Sequence, residues 1–75
     1  MRAYVLINSS AGKAIEVAKA LQGVKGIELA DAITGEYDGI AMVEGPDVAA
    51  IGSIIVEKIQ KIDGVFKTVT CLAVR

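Results

Sequence analysis

Histidine and tryptophan are absent from this 75-residue chain, and cysteine and proline occur once each, at Cys71 and Pro46. Without histidine, the commonest general base and metal ligand is missing. A single thiol cannot form a disulfide framework within the chain; inside an apolar strand, Cys71 reads as a buried, inert thiol. No metal, no cofactor and no enzymatic activity are expected. Neither sign of charge dominates: 8 Lys and Arg against 9 Asp and Glu leave a formal net charge of −1. The basic residues are scattered, whereas a nucleic-acid surface needs them clustered. No uninterrupted apolar segment reaches the length of a bilayer span. Met1 to Asn8 is too short for a signal peptide and lacks its cleavage site, so it reads as a first strand of a cytoplasmic protein.

Hydrophobic residues make up 53% of the chain. At this length there is room for one domain, residues 1–75. Small domains bury a smaller fraction of their surface than large ones, so a chain this apolar is expected to expose a hydrophobic patch and to self-associate.

Ala3 to Asn8 reads as a strand with Tyr4, Leu6 and Asn8 on one face and Ala3, Val5 and Ile7 on the other. Ser9 to Gly12 breaks the pattern and offers N-cap residues. From Lys13 to Gln22 the period turns helical, with Ala14, Val17, Ala18 and Leu21 on one face, and Gly23 stops it. Ile27 to Thr34 reads as a second strand, in which Ile27, Leu29, Asp31 and Ile33 alternate with the rest. Gly39 to Glu44 reads as a third strand, ended by Gly45-Pro46-Asp47. Pro46 and Asp47 suit a helix start. That helix runs to about Ile62 on a stripe of Val48, Ile51, Ile55, Ile59 and Ile62, with Glu57 and Lys61 spaced for an outer i,i+4 pair. Gly52 weakens its interior, and the sequence alone does not decide whether close packing is the reason. Asp63-Gly64 ends it, and Val65 to Val74 form a last strand.

The order is β-α-β-β-α-β, and Leu21 to Ile27 is echoed by Ile59 to Val65. Two such halves joined by a hairpin define an α+β, ferredoxin-like sandwich, an antiparallel sheet with two helices on one face. If the other face met water, one parity of every strand should be polar. Instead both parities are apolar: Tyr4/Leu6 and Val5/Ile7, Ile40/Met42 and Ala41/Val43, Val65/Val69/Cys71 and Phe66/Leu72/Val74. A dimer formed by packing open faces together is expected.

Chemistry concentrates in Ile33 to Ile40, where two glycines, Tyr37 and Asp38 lie close together. The plain interpretation is a glycine-containing hairpin turn. The functional alternative is a loop offering backbone groups beside a carboxylate, which suits a small zwitterion. Asn8 to Ala14 is no phosphate loop, since Ile7 and Ala14 stand where Gly and Ser or Thr are required. Glu36 and Asp38 are too close in a turn for an acid/base pair. Thr68 and Thr70 share a strand face, either as β-formers or as hydroxyls lining a ligand cleft with the hairpin.

Thr34-Gly35-Glu36-Tyr37-Asp38 after a strand, Asp63-Gly64-Val65 after a helix, and then Lys67-Thr68-Val69-Thr70 resemble the effector-binding domain of the Lrp/AsnC family, the RAM domain, over essentially the whole chain. The resemblance implies sheet-to-sheet dimers of the dimeric α+β barrel type, rings of dimers, and amino acids bound between dimers. It implies backbone contacts from Gly35 and Tyr37, Asp38 facing the ligand ammonium, and Thr34, Thr68 and Thr70 as secondary walls. The family's full regulators carry a preceding helix-turn-helix DNA-binding domain. This chain resembles the stand-alone form, so indirect modulation of transcription is expected, by association with itself or with a full-length regulator. The alternatives are a dimeric α+β barrel enzyme, for which no ionisable pair is evident, and a purely structural assembly module.

Overall fold

The computed structural model describes all 75 residues. Its elements are β1 (Arg2–Ser9), α1 (Ala14–Leu21), β2 (Ile27–Ala32), β3 (Gly39–Glu44), α2 (Val48–Ile54, continued by a π-helical turn over Ile55–Ile59) and β4 (Val65–Leu72). The four strands form one sheet in the order β2-β3-β1-β4, with every neighbour antiparallel. This is the ferredoxin-like α+β sandwich.

The alternation within β1 and β3 separates two faces. Ala3, Val5, Ile7, Ala41 and Val43 are buried beneath the helices, where Val17, Leu21, Ile51, Ile55 and Ile59 close the core. Tyr4, Leu6, Ile40 and Met42 lie on the open face and are only half-buried. Asp47 caps α2 as expected: its carboxylate accepts the Ala50 N–H at 2.8 Å. Gly26, at φ +92°, is held in a left-handed conformation, and a Cβ there would stand 2.5 Å from Ile54 Cδ1.

Several expectations are corrected. In β2, Ile27 pairs with Val43 and Leu29 with Met42, so Glu28 is an extra, bulged residue. The bulge resets the alternation: Ile27 and Ala30 are buried, while Leu29 and Asp31 lie opposite Met42 and Ile40 on the open face. A second bulge at Phe66 separates Val65, opposite Ser9, from Lys67, opposite Asn8. Val65 therefore packs on the core instead of sharing a face with Val69 and Cys71. Cys71 is exposed, because it lies opposite Tyr4 on the face no helix covers.

α1 begins after Lys13 without a side-chain cap. The second helix finishes at Ile59, where Gln60 N–H bonds the Ile55 carbonyl five residues back at 2.8 Å. This wider turn disrupts the i,i+4 spacing, and Glu57 and Lys61 form no ion pair. Val48 is 54% exposed. No atom of the chain outside the local helix lies within 4 Å of a Cβ added at Gly52, so close packing within the chain does not explain that glycine.

Candidate functional site

The segment between β2 and β3, residues 33–38, is tied down at the end of the sheet where β1 finishes. It closes on itself through Ile33 N–H to the Asp38 carbonyl at 2.9 Å, and Asp38 N–H donates to the Ile7 carbonyl at 2.8 Å. Two further bonds fasten it to the end of β1. The Ser9 N–H donates to Asp38 Oδ2 at 2.8 Å, and Asn8 Nδ2 donates to the Glu36 carbonyl at 3.1 Å. Gly35 has φ +117°, a conformation L side chains rarely adopt, which explains glycine at that position.

Thr34 and Gly35 are exposed, and Tyr37 and Asp38 half-buried. One carboxylate oxygen of Asp38 is engaged by Ser9 and the other has no partner within the chain. Beneath this contact the Ser9 hydroxyl is buried with no hydrogen-bond partner. Thr68 lies opposite Ile7 and Thr70 opposite Val5, on the helix-side face of edge strand β4. Thr68 Oγ1 accepts from Gln60 Nε2 at 2.9 Å and helps line a shallow cavity of about 260 Å³ with Gln60, Val65, Phe66 and Lys67. β1 thus stands between the loop and the two threonines. A single chain brings both to the same end of the sheet without enclosing them in one cleft.

Asn8 and Ser9 were not singled out as site residues from the sequence. The available signal was a polar pair ending an otherwise apolar strand, at the level of the loop. No group of three or more His, Cys, Asp or Glu side chains is placed to hold a metal ion, and no helix is long and apolar enough to cross a membrane. Electrostatic perturbation lies at the opposite end of the sheet. There, the neighbouring Tyr4 hydroxyl first and then the Glu44 carboxylate hold the pKa of the exposed Arg2 guanidinium above its ordinary value, with Arg2 Nε donating to Glu44 Oε1 at 3.2 Å.

The chain is thus a split β-α-β sandwich with a fastened glycine–aspartate loop joining edge strand β2 to β3. The Lrp/AsnC ligand binding domain model matches residues 2–75, and the chain belongs to that family. It is 30% identical over 74 residues to an uncharacterized HTH-type transcriptional regulator of Pyrococcus furiosus, a match that takes in 95% of this chain and 49% of that protein. The chain therefore spans about half the length of that curated relative. A hypothetical protein of Pyrococcus horikoshii, known from its crystal structure, is 32% identical with a TM-score of 0.88, covering 99% of this chain and 89% of the other. The crystal structure of a transcriptional regulator from Neisseria meningitidis in complex with L-Met shares the fold at 18% identity and a TM-score of 0.83, covering 99% of this chain and 50% of that one.

Proposed function

We propose that residues 1–75 are a single effector-binding and assembly domain that takes up a small amino acid and modulates transcription indirectly. The observation that carries this is the state of Asp38. Its backbone is locked to β1, one carboxylate oxygen is held by Ser9 N–H, and the other is free. A fixed carboxylate with an unused oxygen is suited to a ligand ammonium, because a charge-assisted hydrogen bond is the stronger kind and needs no reorganisation of the acceptor. Gly35 and Tyr37 supply backbone groups beside it, and Thr34, Thr68 and Thr70 form the walls.

The threonines and the loop come from different sides of β1, so we place the complete cleft between copies of the chain. The open sheet face supplies the first contact. Tyr4, Leu6, Leu29, Ile40, Met42, Val69 and Cys71 share it by register, and two such faces packed together form the dimer. Further association, with other dimers in a ring or with a full-length Lrp/AsnC regulator, would carry the ligand signal to DNA.

The Ser9 contact also favours a second reading, in which Asp38 is a structural latch and the cleft stays empty. Calorimetric titration with each of the twenty standard amino acids, beside light scattering for mass, separates the two. Saturable heat with wild type, abolished in Asp38→Asn while the mass is unchanged, supports the effector-binding domain. No heat from a well-assembled oligomer leaves the structural module.

A further inference from the structure

An amino acid whose ammonium meets Asp38 also brings a carboxylate, which needs a cation or a set of donors of its own. The cations near this end of the sheet are few. Arg2 lies at the far end of β1, where it pairs with Glu44. Lys13 is near the loop end, but its ammonium is 3.4 Å from Glu16 and 3.7 Å from Asp63. Lys61 and Lys67 have no carboxylate within ion-pair distance, and of the two only Lys67 lies on a strand of the sheet.

The register locates Lys67 with respect to the loop. It stands directly opposite Asn8, and its neighbours Val69 and Cys71 stand opposite Leu6 and Tyr4, so Lys67 shares the open face with Asn8. Directly opposed residues have Cβ atoms about 4.5–5.5 Å apart. Asn8 is the residue whose amide holds the Glu36 carbonyl at 3.1 Å. Across the sheet end, Asp38 in the loop just before β3, Asn8 on β1 and Lys67 on β4 therefore follow one another, with anion and cation at the two ends and the Asn8-bound loop backbone between. The lysine stem is long and flexible enough to bring its ammonium over that backbone.

We propose that Lys67 is a ligand-binding residue that pairs with the carboxylate of the bound amino acid, opposite the ammonium held by Asp38. This rests on the amino-acid-binding function proposed above and extends it to a preference. The site selects free α-amino acids, with both charges present, over their amides and over the corresponding amines. A lysine on an edge strand otherwise serves to discourage strand addition, a role that has no bearing on the ligand's carboxylate.

The test is calorimetric titration of wild type, Lys67→Met, Lys67→Arg and Asp38→Asn with the amino acid that wild type binds best, and with that amino acid's carboxamide. Light scattering confirms that each variant keeps the wild-type mass. Wild type is expected to favour the free acid over the amide. Lys67→Met should weaken binding of the acid roughly five- to tenfold while leaving amide binding as it was, and Lys67→Arg should restore most of the loss. Equal effects of Lys67→Met on acid and amide, or no effect on either, overturn the assignment to Lys67 while leaving amino-acid binding intact. Absence of binding by wild type overturns the amino-acid function itself and the Lys67 assignment with it.

Discussion

One oxygen of Asp38 already has a partner, the N–H of Ser9 at 2.8 Å, so this side chain acts on the loop before it acts on any ligand. Removing the acceptor leaves a half-buried donor at the end of β1, a change that typically costs about 1–3 kcal/mol. Asp38→Ala should therefore lower the denaturation midpoint by several degrees. Asp38→Asn keeps an acceptor of the same shape and should stay close to wild type in stability while losing the charge that meets an ammonium. Equal thermal midpoints for Ala and wild type would show that the Ser9–Asp38 bond does not hold the loop. Directly beneath, the Ser9 hydroxyl is buried and unpartnered. Ser9→Ala deletes an unmet polar group, and urea denaturation should find it neutral or stabilising by up to about 1 kcal/mol. A clear loss of stability would show that a partner, such as a bound water, meets that hydroxyl.

The two helices and four strands were legible from periodicity because β1, β3 and the stripe of Ile51, Ile55 and Ile59 keep their repeats without interruption. Where a single residue is inserted, the pattern misleads. Glu28 and Phe66 each bulge a strand, and neither has a composition that marks it as extra. The consequence is that Leu29 moves to the open face and Val65 to the core. The π-turn over Ile55–Ile59 is equally silent, since an apolar stripe looks alike whether a turn holds 3.6 residues or slightly more. The loop itself was legible from Gly35 and Asp38. Its attachment to Asn8 and Ser9 was not, because those bonds join residues 28 and 29 positions apart.

Within α2, Gly52 is the residue with no local reason to be glycine. A Cβ there meets nothing within 4 Å, so Gly52→Ala should stabilise the chain by about 0.5–1 kcal/mol through helix propensity alone. A fall in thermal midpoint, or a change in mass on light scattering, would show that another copy packs against that turn. Gly26 behaves in the opposite way. Gly26→Ala combines a left-handed backbone with a contact 2.5 Å from Ile54 Cδ1, and a loss of about 2 kcal/mol or more is expected by chemical denaturation.

Taken as a whole, the molecule has one finished face and one unfinished face. The helices seal Val5, Ile7, Ala41 and Val43, while the opposite side presents Leu6, Ile40, Met42 and Val69 with no covering layer. Cores cut open in this way are completed by a partner of matching shape, and a twofold axis lets one surface serve both sides. Leu6→Glu sits at the middle of that face and should reduce the mass by light scattering to that of a single chain. Persistence of the wild-type oligomer would place the interface elsewhere.

The free edge of β2 has a further consequence. Gln22 Nε2 donates to the Ala30 carbonyl at 3.3 Å, and the Glu28 bulge lies two residues away. An amide occupies one outward hydrogen-bonding position and a kink breaks the regular spacing of the rest. An incoming strand finds no straight template to copy on that side. Growth by strand addition at this edge, a route by which apolar sheet proteins lengthen into fibres, is discouraged at its first step, even though the broad face of the same sheet invites contact.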